Sequence, residues 1–339
     1  MRAWKTGNNQ HQQKRTGEKI QKDNLTGWNM DKTVIVIAGP TASGKTDLAI
    51  NLALETDGEV VSADSMQIYR YMDIGTAKPT KEEMRGIPHH MIDIVDPGEN
   101  YSVALYKRDA ENCIRDILSR GKLPIVAGGT GLYINSLIYN IKFGETVIDE
   151  EFRERMRKIA ETEGPKVLHE MLEKVDPESA AKIHYNNVKR VIRALEVYEY
   201  TKKPISQHQK ESRTEPPEFR YLVFILSMDR ERLYDRINRR VDKMIQKGLV
   251  DEVRRLLKMG YKPGSTALQG LGYKEIIRFL NNELPFEEAI RILKRDTRHF
   301  AKRQLTWFRA IKEAVWLEGG EENLEKNTKK IQEYLETSI

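Results

Sequence analysis

The run Val34-Ile-Val-Ile-Ala38 leads directly into Gly39-Pro-Thr-Ala-Ser-Gly-Lys-Thr46, and this junction decides the fold. A continuous β-branched apolar run is the pattern of a strand buried on both faces. The octapeptide matches G-x-x-x-x-G-K-[ST], whose glycines let the backbone turn its N–H groups toward a phosphate. In that pattern Lys45 brings positive charge to the terminal phosphate oxygens and Thr46 offers a hydroxyl to Mg²⁺. Asp47–Glu55 continues with Leu48 and Leu52 at inward helical spacing. A helix there adds its N-terminal dipole to the same anion site. Strand, loop and helix together predict a phosphate loop built from Gly39, Pro40, Thr41, Ala42, Ser43, Gly44, Lys45 and Thr46. An ordinary glycine turn would not need that context.

Outward from the loop, Glu59–Ala63 reads as a second strand, ending at Asp64. Tyr101–Arg120 has helical periodicity and stops at Gly121. Leu123–Ala127 is a third buried strand, followed by Gly128-Gly129-Thr130-Gly131. This alternation predicts an α/β fold of the P-loop NTPase type, a parallel sheet flanked by helices. From about Phe143 the texture changes. Asp149–Thr201 is charged and helical, with Asp176 capping a helix that opens at Pro177. Tyr221–Ser227 then returns as a strand, so 143–216 is expected to be an inserted all-helical subdomain. The core is expected over 31–142 plus 217–339, its C-terminal part amphipathic helices punctuated by Gly248, Gly260 and Gly264. Residues 1–30, rich in Gln, Asn and Lys, lack the aliphatics for a core. They are read as a disordered extension or an expression remnant, with Met30 an alternative start.

Composition narrows the class. At 339 residues, 39% hydrophobic and 32% charged, the chain fits a soluble globular protein with no apolar run long enough to span a membrane. Its one cysteine, Cys113, excludes an internal disulfide and a Cys-based zinc site. A net charge of +6 is compatible with an anionic polymer as partner but equally with a basic enzyme of the cytoplasm.

The loop alone would suggest ATP. P-loop ATPases usually place a carboxylate at the end of another buried strand, near Mg²⁺. Here Leu123–Ala127 ends in glycines, and the carboxylate is Asp64 instead. Parallel strands open on one carboxyl edge, so Asp64 and the P-loop are expected in one crevice. Asp64 is then either a metal-associated acid or a general base for a second substrate.

In order along the chain, Gly39–Thr46 (GPTASGKT), Asp64–Tyr69 (DSMQIY), Asp73–Pro79 (DIGTAKP) and Gly128–Tyr133 (GGTGLY) resemble the tRNA dimethylallyltransferase family. Arg190–Glu196, Arg236–Met244 and Ala267–Glu275 (ALQGLGYKE) extend the resemblance from about Val34 to Trp307. It implies transfer of a dimethylallyl group from its diphosphate to N6 of the adenosine 3′ of the anticodon. It further implies that the P-loop holds a prenyl diphosphate, with Arg240 clamping the same group. Lys45, Mg²⁺ on Thr46 and the loop amides would neutralise the leaving group, and Asp64 would take the amino proton. The resemblance places Thr130 near the target base.

The same likeness assigns an anticodon stem-loop to the remaining polar positions. Ser65, Met66 and Gln67 would line the path of a flipped-out base. Lys189, Arg190 and Arg193 share a helix face, for which a solvated surface is the ordinary reading. Gln269, Tyr273 and Lys274 would add a polar and aromatic surface. Arg295–Trp307 interleaves basic and aromatic residues, as either a nucleic-acid face or a packed amphipathic helix does. His89 and His90 have no metal-ligand spacing and are read as structural. The implied enzyme is a monomer of the cytoplasm using tRNA, dimethylallyl diphosphate and Mg²⁺, with no membrane association. The rivals are a small-molecule kinase consuming ATP, an adenylate isopentenyltransferase acting on a free nucleotide, and a non-catalytic anticodon-loop binder.

Overall fold

Strand β1 (Thr33–Ala38) is buried at every position, as its aliphatic run requires. The computed structural model that shows this describes residues 32–143, 149–212 and 215–337. The extension expected over 1–30 lies outside the described residues. Helix α1 (Lys45–Thr56) follows the phosphate loop, and β2 (Gly58–Ser62) and β3 (His89–His90) come next. Helix α2 (Val103–Ser119) leads to β4 (Leu123–Gly128) and α3 (Gly131–Ile138). Past a block of helices, β5 (Arg220–Ser227) re-enters the sheet, and further helices precede β6 (Val315–Glu318) and α13 (Leu324–Thr337). The order is β3-β2-β4-β1-β5-β6, with every pair parallel. This is the expected helix-flanked parallel sheet.

Register positions the site. Ala38 pairs with Gly128, and Ser62 with Ala127, so β1, β2 and β4 end level on one edge. The loops carrying Gly39–Thr46, Asp64 and Gly129–Thr130 therefore leave the sheet side by side. On one face Leu48 and Leu52 of α1 pack with Ile35, Ile37 and Ile125, and with Ile331 and Leu335 of α13. Each fully buried aliphatic side chain there contributes about 1.5–3 kcal/mol. A second core gathers α10 (Leu249–Lys258) and α11 (Tyr273–Leu280) beneath the segment Ile68–Met72.

Two strands were not anticipated. β3 has only two residues, too few for any periodicity. β6 is a four-residue edge strand whose burial alternates, with only Leu317 fully buried. The sequence past Ser227 predicts helices throughout, because α9 (Arg230–Gln246) and α12 (Phe286–Phe308) dominate its pattern.

The chain divides into two compact units, the second comprising Val103–Lys107 and Asn135–Glu218. That unit holds α4 (Glu150–Thr162), α5 (Pro165–Val175), α6 (Pro177–Lys182), α7 (Val188–Thr201) and α8 (Ile205–Glu211). Phe152, Met156, Leu168, Leu172 and Val191 form its core. Asp176 caps α6 by accepting from the Ser179 N–H at 3.0 Å, and its other oxygen accepts from Ser206 N–H at 2.9 Å. Among the described residues no helix is long and apolar enough to cross a membrane.

Candidate active site

The phosphate loop is shaped by its backbone. Gly44 stands before α1 at φ 95°, a left-handed conformation that a side chain would strain. Because α1 begins at Lys45, the N–H groups of its first turn have no partner within the helix and face the anion site. Lys45 Nζ donates to the Pro40 carbonyl at 2.7 Å, folded back over the loop. Thr46 is exposed at the rim of the cleft, which Thr41, Lys45 and Thr46 line together.

A second wall stands beside the loop. Ala63 N–H donates to Ala127 O at 2.8 Å and Thr130 N–H to Ala63 O at 3.1 Å, lacing the end of β2 to the loop after β4. Asp64 follows, and one of its oxygens accepts from the Met66 N–H at 2.9 Å. Thr130 Oγ1 accepts from the Ser65 N–H at 2.9 Å and lies 3.2 Å from Ser65 Oγ. Asp64, Met66 and Gln67 line the same cleft as Lys45. The Gln67 side chain is engaged: its oxygen accepts from Ser62 Oγ at 3.1 Å, and Nε2 faces the Thr76 and Ala77 carbonyls at 3.5 and 3.4 Å.

Helix α9 supplies the third side. Asp229 caps it, accepting from Glu231 N–H at 2.8 Å and Arg232 N–H at 3.2 Å. Four residues apart, Arg236 and Arg240 share a face. Arg236 Nε donates to the Ala42 carbonyl at 2.9 Å, holding the phosphate loop, while Arg240 lines the cleft. Burial first and the Arg240 charge second lower the Lys45 ammonium, and with Asp64 partly offsetting both it comes to about 7. Burial likewise lowers Arg240, against the pull of Asp64 and Asp47. Two cations are thus held close in a site with only partial neutralisation, an arrangement that an incoming dianion relieves.

Gln304, which no sequence signal sets apart from the basic residues of α12, joins two walls. Buried at 6% exposure, it accepts from Thr41 N–H at 2.9 Å and donates to Gly129 O at 2.8 Å. Arg236 lay inside a recognised motif without an assigned role. Its spacing from Arg240 was the signal that could have found it. The mixed string Arg295–Trp307 resolves by face: Ala301, Gln304 and Phe308 are buried, whereas His299, Lys302 and Arg303 are exposed.

Other expected positions fall elsewhere. Tyr273 is no surface residue. It is fully buried, donates from its hydroxyl to Glu252 at 2.8 Å, and packs on Gly75. Its position at the head of an amphipathic helix looks exposed in the sequence, but the core beneath Ile68–Met72 claims the ring. Gln269 is exposed and donates to Pro263 O at 2.8 Å, and Lys274 lies 3.6 Å from the Glu275 carboxylate. Lys189 and Arg190 are exposed on α7 of the helical unit. Arg193 on the same helix is tied to buried Glu196 at 2.5 Å, so packing absorbs it in this structure. Burial raises Glu196, but hydrogen bonds from Arg153 and Arg193 win and hold it charged.

Among the described residues no group of three or more His, Cys, Asp or Glu side chains could cage a metal. The Thr46 hydroxyl at the cleft rim nonetheless suits Mg²⁺, which usually takes one or two protein oxygens and leaves the rest to phosphates and water.

A nucleotide-type phosphate loop after β1, two neighbouring cations and a carboxylate at the end of β2, two strands along the same edge, define a P-loop α/β protein with a site for a phosphorylated group. Residues 67–311 match the IPP transferase family, and residues 32–94 match the isopentenyl transferase family. The chain is 58% identical over 305 residues to a tRNA dimethylallyltransferase of Acetivibrio thermocellus, covering 90% of this chain and 97% of that one. It is 53% identical over 302 residues to the enzyme so named from Carboxydothermus hydrogenoformans, covering 89% and 97%. Its fold is similar to a tRNA isopentenylpyrophosphate transferase of Bacillus halodurans (TM-score 0.67, 42% identity, 90% and 97% covered). It is also similar to a eukaryotic dimethylallyltransferase solved acting on tRNA (TM-score 0.72, 33% identity, 89% and 78% covered). The chain belongs to the IPP transferase family.

Proposed function

We propose that this cleft transfers a dimethylallyl group from dimethylallyl diphosphate to N6 of an adenosine in tRNA, the one just 3′ of the anticodon. The observation that carries the reading is the pairing of Lys45 and Arg240 with Asp64 in one cleft, while β4 ends in glycines. P-loop ATPases usually carry an acid at such a strand end, where Gly128 and Gly129 stand here.

In the reaction, a bond forms between N6 and the allylic carbon as the carbon–oxygen bond to diphosphate breaks. The bonding electrons leave with the diphosphate, and N6 becomes cationic until a proton departs. Lys45, Arg240 and the loop N–H groups meet the charge that grows on the leaving oxygens. Asp64 is the carboxylate placed to accept the N6 proton. Thr130 and Ser65, bonded to each other, brace the segment that carries it. Mg²⁺, held by Thr46 and the diphosphate oxygens, would supply further charge neutralisation when bound. Lys189 and Arg190 are assigned to the tRNA backbone, with Gln269 and Lys274 as further polar contacts. The reaction is placed in the cytoplasm with the tRNA pool, and is assigned to a monomer because one chain supplies every wall of the cleft.

The test is transfer of label from dimethylallyl diphosphate to unmodified tRNA in Mg²⁺, with AMP and ATP as alternative acceptors. Label should enter tRNA alone, at the adenosine following the anticodon. Label in AMP only, or consumption of ATP, would sink the proposal. Asp64→Asn should slow transfer about 10²–10⁴-fold while pyrophosphate still binds. An equal loss of pyrophosphate affinity would make Asp64 part of the diphosphate site.

A further inference from the structure

Glu252 on α10 is 2% exposed, and no sequence signal set it apart from the surface acids around it. Its carboxylate is fully occupied. One oxygen accepts from Asp73 N–H at 2.9 Å and Ile74 N–H at 2.8 Å. The other accepts from Gly75 N–H at 3.0 Å and from the Tyr273 hydroxyl at 2.8 Å. Three successive main-chain donors converging on one buried anion fix the conformation of the turn that presents them. Tyr273 closes the arrangement from the other side. A Cβ on Gly75 would lie 2.5 Å from its ring, so only glycine allows the turn to sit there.

The turn is a wall of the cleft, since Gly75 and Thr76 line it together with Lys45. Its carbonyls at Thr76 and Ala77 face the Gln67 amide. A carboxylate with four donors is more than is needed merely to fill space in this core. The bonds terminate on the segment that borders Met66 and Gln67, not on the phosphate loop.

We propose that Glu252 and Tyr273 are positioning residues. They hold the Asp73–Thr76 turn, and through it the Gln67 side chain, in the geometry that seats the acceptor adenine. This rests on the reading of the cleft as a tRNA prenyltransferase site. It assigns the acceptor side of that site to a buried anchor that touches neither substrate.

The separation of the two sides gives the test. Glu252→Gln replaces one acceptor oxygen with an NH₂ group pointed at N–H donors. Tyr273→Phe removes one hydrogen bond and keeps the ring against Gly75. Both are compared with the unaltered full chain in Mg²⁺ by steady-state transfer to tRNA and by calorimetric binding of pyrophosphate. Glu252→Gln should lower kcat/KM for tRNA about 10–100-fold, the scale of an ångström-sized misplacement. Tyr273→Phe should lower it about 3–10-fold, and the pyrophosphate Kd should stay within about threefold for both. A fall in pyrophosphate affinity matching the fall in kcat/KM would overturn the assignment, as would tRNA kinetics unchanged in Tyr273→Phe. Tyr273→Phe alone decides the matter if Glu252→Gln does not fold. Failure of the unaltered chain to modify tRNA overturns the parent reading instead, and is seen before either variant is made.

Discussion

Two glycine-rich turns leave neighbouring strands of the same sheet, and they differ in what the glycine at the helix start is for. At Gly39–Thr46 the strand end is packed, since a Cβ on Gly39 would lie 2.7 Å from the Leu226 carbonyl oxygen, but at Gly44 the backbone opens onto space. A Cβ on Gly44 would meet nothing nearer than the Gly320 nitrogen at 3.7 Å, and the residue is glycine for its φ of 95°. At Gly128–Gly131 the space is already taken. A Cβ on Gly128 would lie 2.2 Å from the Ala63 carbonyl oxygen, and one on Gly131 would lie 2.4 Å from the Trp307 ring. The first turn is built to receive a ligand and the second to be pressed against protein. One binds and the other braces, and Gln304 ties them together. The charge sits accordingly, with Lys45 held against its own preference while the brace carries none.

The largest expected contrast comes from Lys45→Met. Losing the cation that meets the leaving group should cost about 10²–10³ in kcat. Stability should hold or rise, because the substitution removes a charge whose burial is unfavourable in the free protein. Urea unfolding and single-turnover transfer on the same sample check both halves. A variant that is inactive because it has unfolded would abolish the distinction between the turns.

Gly128→Ala should behave in the reverse sense. Its methyl group must displace backbone at Ala63, which β2 and the following loop hold through the Ala127 and Thr130 hydrogen bonds. Overpacking of this kind costs about 1–3 kcal/mol of stability. It also shifts Asp64, the next residue, so transfer should slow while pyrophosphate affinity persists. Unchanged melting would mean that Ala63 yields freely and the second turn is no brace.

This division explains what the sequence could and could not disclose. The phosphate loop was legible because its requirements are local: a buried strand, a backbone turn and a helix start within Val34–Thr46. The shared edge of β1, β2 and β4 followed from parallel topology alone. Residues whose roles depend on distant partners were not legible. Gln304 is 263 positions from Thr41, and nothing in a string of Arg and Lys separates it from its neighbours. Tyr273 was misassigned because burial of a ring at a helix start is decided by the core it meets. Glu252, in the first turn of α10, has the look of a surface acid favouring the helix dipole. β6 escaped because four residues with one buried side chain, Leu317, are too short a pattern to stand out against the long helix before them. Chemistry written in neighbouring residues was readable, and support contributed from far along the chain was not.

The smallest effect is in pH, and it distinguishes the turns most cleanly. The Lys45 pKa of about 7 in the free protein lies below the ordinary lysine value of 10.5. The unfolded chain therefore binds more protons between those values, so the unliganded protein gains stability as pH rises from about 7 toward 10.5. Ligand binding runs the other way. A diphosphate favours the charged ammonium, so below pH 7 it finds Lys45 already protonated and above pH 7 it must draw a proton in. Affinity should fall as pH rises through about 7, by at most about tenfold per unit. The protons of the diphosphate itself titrate in the same range, so the informative quantity is the difference between the unaltered chain and Lys45→Met. Calorimetry in buffers of different ionisation heat should show proton uptake in excess of that variant at about pH 8 and none at about pH 6. Gly128→Ala, which perturbs the brace and leaves Lys45 alone, should keep the full uptake. Parallel profiles for the unaltered chain and Lys45→Met would mean that Lys45 stays charged throughout, and the phosphate turn would then be no more strained electrostatically than its neighbour.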